Sequence, residues 1–226
     1  PPFLAHVSDK EDFNIESLAD YLHLIPQQVA RMADRGQLPG RRIGGQWRFS
    51  QAEIHHWLED RIGALDDDEL KEVEDVLLRD EKPVRPHHES ISRLLAAGAI
   101  EIPLIARTRN SVIVSMVGLA ERTGHLWDPD KMAEAVRQRE NLHPTALDNG
   151  VALLHPRRPM GSILAEPLLT LGCTHQGIPF GGSSGGLTDI FFLVCSVDDR
   201  GHLRTLPRLS RLVGDAEFVA GLRAAE

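Results

Sequence analysis

The chain has 226 residues, 42% of them apolar and 26% charged, with a formal net charge of -8. That length exceeds what one small core needs and suits two modest domains, with the composition of a soluble globular protein. No apolar stretch approaches the roughly 18 residues a membrane helix requires, and no basic start followed by an apolar stretch marks a secretory signal.

Two cysteines, Cys173 and Cys195, stand in apolar surroundings without metal-type spacing. They predict reduced core thiols in a cytoplasmic protein, and neither a disulfide framework nor a bound metal or cofactor. Charge is unevenly spread. Residues 63 to 86 carry four basic and nine acidic side chains, whereas between Arg31 and Arg48 five arginines face one acid, Asp34. The first stretch is an acidic connector and the second is where a polyanion can bind.

In chain order, Asn14 can cap a helix that carries Ser17, Leu18, Tyr21 and Leu22 at helical spacing. Pro26 suits the first turn of a second helix running through Val29 and Met32 to Arg35, and Gly36 ends it. Gly44-Gly45, between two short apolar and basic runs, predicts a tight hairpin. Ser50-Gln51-Ala52-Glu53 is a capping box opening a helix with Ile54, Trp57, Leu58 and Ile62 on one stripe. Helix, turn, helix, hairpin, helix in about 50 residues makes a compact winged module. Trp47, Phe49 and Trp57 are expected in its core.

The stretches Asn14 to Leu22, Gly36 to Gly40, Ile43 to Phe49 and Ile54-Trp57-Leu58 resemble the excisionase-like winged helix-turn-helix family. That resemblance implies a second helix in the major groove and a hairpin wing on the DNA backbone. It puts Gln27, Gln28, Arg31 and Arg35 toward bases or phosphates, and Arg41, Arg42 and Arg48 on phosphates. Arginine forks suit both phosphate and guanine edges.

Asp66 to Arg79 predicts an acidic amphipathic helix, read either as a linker or as a packing or homodimerising helix, before Pro83 and Pro86 break the chain. The domains are therefore expected at residues 1–62 and 87–226, with a connector at 63–86. Beyond it, the pattern predicts a short helix near Ile91, a strand from Ala99 to Ile105, and helices from Asn110 to Thr123 and Asp130 to Asn141. Asp148-Asn149-Gly150 predicts a turn into the strand Val151 to Leu154. Further strands are expected over Glu166 to Cys173 and Thr188 to Val197, with a flexible Gly-rich loop from Gly177 to Gly186 between them. Helices from Leu203 to Leu212 and Asp215 to Ala225 close the chain. Strands alternating with helices indicate an α/β domain, its mixed sheet flanked by helices. The adjacent pairs His55-His56 and His87-His88 make poor chelates.

Arg139-Glu140, Thr145, Asn149-Gly150-Val151-Ala152 and His155, followed later by Asp198-Asp199-Arg200-Gly201-His202-Leu203, resemble the enzyme IIA domain of the phosphotransferase system. The type is the fructose/mannitol and nitrogen-regulatory one, and the likeness runs from about Ile91 to Glu226. It implies that His155 accepts a phosphoryl group beside His202, from a histidine-phosphorylated carrier protein, so the domain is a phosphohistidine carrier rather than a turnover enzyme. Leu154 stands where the family usually has proline, and Asp148 places a negative charge expected near the site.

The chemistry requires such a pair. Neutral imidazole is a good nucleophile near pH 7, with one ring nitrogen attacking and the other held to fix the tautomer. His202, Thr145, Arg157 and backbone amides are expected to surround the phosphoryl oxygens, and His155 to stand exposed at its strand end. Three functions fit: a DNA-binding regulator reporting the phosphorylation state of the sugar relay, a phosphocarrier serving sugar uptake, and an enzyme-IIA-like binding protein without phosphotransfer.

Overall fold

Reciprocal side-chain caps start the first helix. In a computed structural model that describes residues 12–22, 24–51, 53–54, 57–58, 90–182 and 185–225, α1 spans Ile15–Leu22. Asn14 Oδ1 accepts the Ser17 amide at 2.7 Å while Ser17 Oγ accepts the Asn14 amide at 2.9 Å. Two of the orphan donors at the helix start are thereby satisfied. The acidic helix, the two adjacent histidine pairs and Ile62 lie outside the described residues. The chain folds as two compact units, one holding the described residues up to Leu58 and the other those from Ser90 onward.

In the front unit, α2 (Pro26–Asp34) opens with Pro26 and ends on Gly36, whose φ of 68° is the left-handed conformation glycine adopts freely. Strands β2 (Arg41–Ile43) and β3 (Gln46–Ser50) pair antiparallel across Gly44 and Gly45, both at positive φ as a two-residue hairpin turn demands. A two-residue strand not foreseen from sequence, β1 (Asp12–Phe13), adds to the other edge of β3. Leu18, Ala19, Val29, Ala33, Leu38, Phe49 and Ile54 form the core, with Trp47, Trp57 and Leu58 packed partly buried against it.

The rear unit is built on a four-stranded mixed sheet in the order β4-β6-β7-β5. Strand β4 is Leu95–Glu101, β5 Val151–Leu154, β6 Leu168–Pro179 and β7 Leu187–Cys195. β4 runs parallel to β6, β6 antiparallel to β7, and β5 parallel to β7. Helices α3 (Ile91–Leu94), α4 (Arg109–Arg122), α5 (Pro129–Leu142), α6 (Asp199–Gly214) and α7 (Ala216–Ala224) complete it. Alternation along the strands divides the core. Ala152, Leu154, Phe191, Leu193 and Cys195 join Val112, Ile113, Met116, Met132 and Val136 of α4 and α5 in one cluster. Their strand neighbours Val151, Leu153, Ile190, Phe192 and Val194 are equally buried outside that cluster.

Several boundaries differ from the sequence reading, among them the start of β4 at Leu95 rather than Ala99 and of α6 at Asp199 rather than Leu203. β4 ends at Glu101 rather than near Ile105, since Pro103 has no amide to give a ladder. The expected Gly-rich loop is shorter, because Ile178 and Pro179 pair with Thr188 and Leu187 and Phe180 is fully buried against Phe191. Periodicity fails there because Gly177 is chosen for closeness, not flexibility. A Cβ on it would lie 2.6 Å from that of Leu187.

Candidate functional site

Strand β5 is an edge strand, yet all four of its residues are buried. Residues 145 to 147 run along its free edge: the Leu153 amide donates to the Thr145 carbonyl at 3.3 Å and the Leu147 amide to the Val151 carbonyl at 2.8 Å. A covered edge fixes where the strand ends, and His155 is the next residue.

His155 Nδ1 lies 2.7 Å from the Leu153 carbonyl. A carbonyl only accepts, so Nδ1 is the donor here, and a neutral form of this ring has its lone pair on Nε2. The Asp198 side chain accepts the Gly201 amide at 2.8 Å and caps α6, which places His202 in the first turn. The two rings lie 5.3 Å apart between centroids at an interplanar angle of 57°. His202 Nδ1 in turn lies 3.1 Å from Ser196 Oγ. Ser196 was not singled out from sequence; its place one residue past the end of β7 was the available signal.

The expectation of an exposed His155 is overturned. The residue is 4% exposed, His202 is 2% exposed, and His155 Nε2 is buried. The reason is chain path. The Met160 amide donates to the Ser196 carbonyl at 3.0 Å, folding residues 156–160 back past the strand end, while α6 sets His202 against the ring. A strand end is solvent-facing only when nothing returns across it.

The other two expected site residues have different surroundings. The Thr145 hydroxyl donates to Glu140 Oε1, and its amide donates to Oε2 at 3.2 Å. Arg109 Nη2 lies 3.1 Å from the same carboxylate and also donates to the Glu140 carbonyl. Glu140, 1% exposed, is thus a buried carboxylate with its donors supplied, and it holds Thr145 toward itself. Sequence reasoning quoted Glu140 without giving it this role. Its signal was an acid in line with the apolar face Met132, Ala133 and Val136 of α5. Arg157 is exposed and lines a cleft with Lys131, Arg139 and Arg158, a cleft that His155 does not line. Asp148 was expected near the site, but it sits at the opposite end of β5, beyond the turn at Gly150.

Both cysteines are free and buried. Burial pushes the Cys195 thiol up to about 12. It pushes Cys173 up to about 11, with Asp189 adding to the rise and Arg223 opposing it. Neutral thiols of this kind are core residues and poor nucleophiles.

In the front unit Gln27, Gln28, Arg31, Arg35, Arg41 and Arg42 are exposed, and Arg48 is half-buried on β3. Gln28 is engaged locally, its Oε1 accepting the Ile25 amide at 3.2 Å as an N-terminal cap of α2. Arg41 pairs with Asp12 at 3.1 Å and Arg42 with Asp34 at 2.8 Å. Trp47 Nε1 donates to the same Asp34 oxygen at 3.2 Å, under the Arg42 guanidinium. Exposed pairs of this kind contribute little to stability. Among the described residues, no group of three or more His, Cys, Asp or Glu side chains is placed to hold a metal, and no helix is long and apolar enough to cross a membrane.

A winged helix-turn-helix unit joined to an α/β unit with paired imidazoles at one strand end defines a two-part protein of the enzyme IIA kind. Residues 93–226 match the family described as "Phosphoenolpyruvate-dependent sugar phosphotransferase system, EIIA 2", and the chain belongs to it. Residues 13–62 match "Helix-turn-helix domain". The chain is 31% identical over 139 residues to "Nitrogen regulatory protein" of Bradyrhizobium diazoefficiens, covering 60% of this chain and 87% of that one. It is 25% identical over 138 residues to the "PTS system fructose-specific EIIABC component" of Bacillus subtilis, covering 60% of this chain but only 21% of that protein's length. Among solved structures, nitrogen regulatory protein IIA-Ntr from Neisseria meningitidis matches with a TM-score of 0.54 at 20% identity, over 60% of this chain and 92% of that one. IIA mannitol from Escherichia coli matches at 0.51 and 18% identity, over 57% and 90%. Those two likenesses speak to the fold.

Proposed function

We propose that this chain is a cytoplasmic DNA-binding regulator whose IIA domain accepts a phosphoryl group on Nε2 of His155 from a histidine-phosphorylated carrier of a sugar or nitrogen-regulatory relay. The observation that carries this reading is the His155–His202 pair with the His155 tautomer locked by Leu153. In the step, the lone pair of Nε2 forms the new N–P bond as the donor's N–P bond breaks. The departing electron pair stays on the donor imidazole, and the Nδ1 proton stays toward Leu153. His202 supplies a donor for the developing charge on the phosphoryl oxygens. Because Nε2 is buried at rest, donor docking has to open a path to it.

The front module reads DNA through α2 and the wing, with Arg31, Arg35 and Arg48 on phosphates or base edges and Arg41 and Arg42 recruited from their acid partners. Few cations make a monomer a weak binder, so a homodimer on a two-part site is the expected working form.

The burial of His155 favours a second reading, in which the domain senses a partner by contact without accepting phosphate. Incubation with the general relay enzymes and labelled phosphoenolpyruvate separates the two. The first reading expects label on the wild-type chain and none on His155→Ala; an unlabelled wild-type chain in an active relay leaves the second. A gel shift with genomic fragments then distinguishes a regulator from a phosphocarrier serving a permease, which would retard no fragment.

A further inference from the structure

Both imidazoles of the pair have Nδ1 engaged, but by partners of different character. His155 Nδ1 meets a carbonyl, which only accepts, whereas His202 Nδ1 meets the Ser196 hydroxyl at 3.1 Å, and a hydroxyl can give or take a proton. Backbone bonds fix both partners of that second contact. Ser196 follows the last residue of β7, and its carbonyl accepts the Met160 amide at 3.0 Å. The His202 amide donates to the Asp198 carbonyl at 3.1 Å as α6 begins. Each residue is 2% exposed, so bulk water is no substitute partner for either. Among the described residues, His202 Nδ1 is the only polar contact of Ser196 Oγ. That contact therefore has a direction. Were Nδ1 to carry the ring proton, the Ser196 proton would be shut in the interior without an acceptor. With the hydroxyl donating, only an oxygen lone pair goes unused, and interiors tolerate that more readily than an orphaned donor.

We infer that Ser196 is a positioning residue: its hydroxyl donates to Nδ1 of neutral His202 and so keeps that ring's proton on Nε2. The two neutral rings, 5.3 Å apart between centroids, then differ at the same atom. Nε2 of His155 offers a lone pair and Nε2 of His202 an N–H, a nucleophile beside a donor. The use of that donor on a phosphoryl oxygen rests on the reading of His155 as the acceptor. The bond between Ser196 and His202, with the tautomer it selects, does not.

Nitrogen–proton NMR on the full chain tests it, with the histidine ring nitrogens labelled and the pH held at about 8.5, above the ordinary imidazole range. The expected spectrum gives His202 a protonated, pyrrole-type Nε2 and a pyridine-type Nδ1 shifted upfield by a hydrogen bond. Ser196→Val loses that upfield shift. Ser196→Thr, of the same shape as the Val variant but with the hydroxyl kept, retains it. Ser196→Ala, which adds no atom to the buried site, repeats the Val arm should the larger side chain unfold the domain. Phosphoryl transfer to His155 is expected to slow by about tenfold or more without the hydroxyl, with the donor protein's KM unchanged, and to recover in Ser196→Thr. A proton on Nδ1 of His202 in the wild type overturns the inference, and so does an Nδ1 signal that is the same with and without the hydroxyl. Transfer at the wild-type rate in Ser196→Val and Ser196→Ala overturns the positioning role. A wild-type chain that takes no phosphoryl group removes the acceptor reading instead, and the spectrum alone then decides the tautomer.

Discussion

At Glu140 a carboxylate shut away from water keeps its place because three donors converge on it, two from Thr145 and one from Arg109. Removing its charge leaves Arg109 facing a weaker acceptor, and Arg109 is only 30% exposed through its side chain. Glu140→Gln is therefore expected to lower the stability of the rear unit by about 2 kcal/mol, discounted from a fully buried pair for that exposure. Urea titration of the rear unit's transition checks this, and an unchanged midpoint would mean the carboxylate bears no weight. The thiols give a pH prediction. Cys195 and Cys173 are raised above their ordinary value by burial, so the folded state holds their protons longer than the unfolded chain does. Their contribution is whole below about pH 8.5 and is lost as pH climbs from there through about 11 and 12. Stability measured from pH 8 to 11 is expected to fall, and to fall less steeply in Cys195→Ala than in the wild type. His155 and His202 were legible as a pair through the resemblance of the motifs around them to the enzyme IIA domain. Burial was not legible, because it depends on a backbone bond between Met160 and Ser196, and backbone contacts leave no mark on residue type.

Among the elements, the turn before β5 illustrates how a glycine is demanded by its neighbours. Gly150 has φ 87°, and a Cβ there would lie 2.6 Å from Arg223 Nη2 and 3.0 Å from Asp189 Oδ1. Those two groups form a paired contact at 2.7 and 2.8 Å that ties α7 to the start of β7, and Asn149 Nδ2 donates to the Val213 carbonyl of α6. The turn anchors the helix pair as well as reversing the chain. Gly150→Ala is expected to cost about 2 kcal/mol from backbone strain and a displaced arginine, read as a lowered thermal midpoint of the rear unit. Sequence reading found this turn, both helices of the helix-turn-helix and the hairpin, because caps and positive-φ glycines act locally. It misplaced the end of β4 and the start of the loop after β6, because register there is set by pairing with distant strands. On the wing, Asp34 holds both Arg42 and Trp47. Asp34→Ala is expected to strengthen DNA binding in a salt titration and steepen its dependence by up to about one unit of slope. A weaker complex would show that Asp34 organises the face instead.

For the whole molecule, the proposed function joins a nucleic-acid reader and a phosphoryl-accepting domain in one chain. Its two halves are tested by different observables. Arg31→Ala with Arg42→Ala is expected to flatten the salt dependence of DNA binding by roughly one to two units of slope while leaving phosphorylation untouched. An unchanged slope removes those arginines from the interface. The two-part fold was readable because each unit has its own core and its own periodicity, whereas what the rear unit does rests on the placement of two rings. The most direct measurement is phosphorus–proton correlation NMR on the full chain after exposure to an active phosphoenolpyruvate relay. A single phosphohistidine on Nε2 of His155 is the predicted result, since Nδ1 is occupied by the Leu153 carbonyl. A phosphoryl group on Nδ1, on another histidine, or on none would contradict the account.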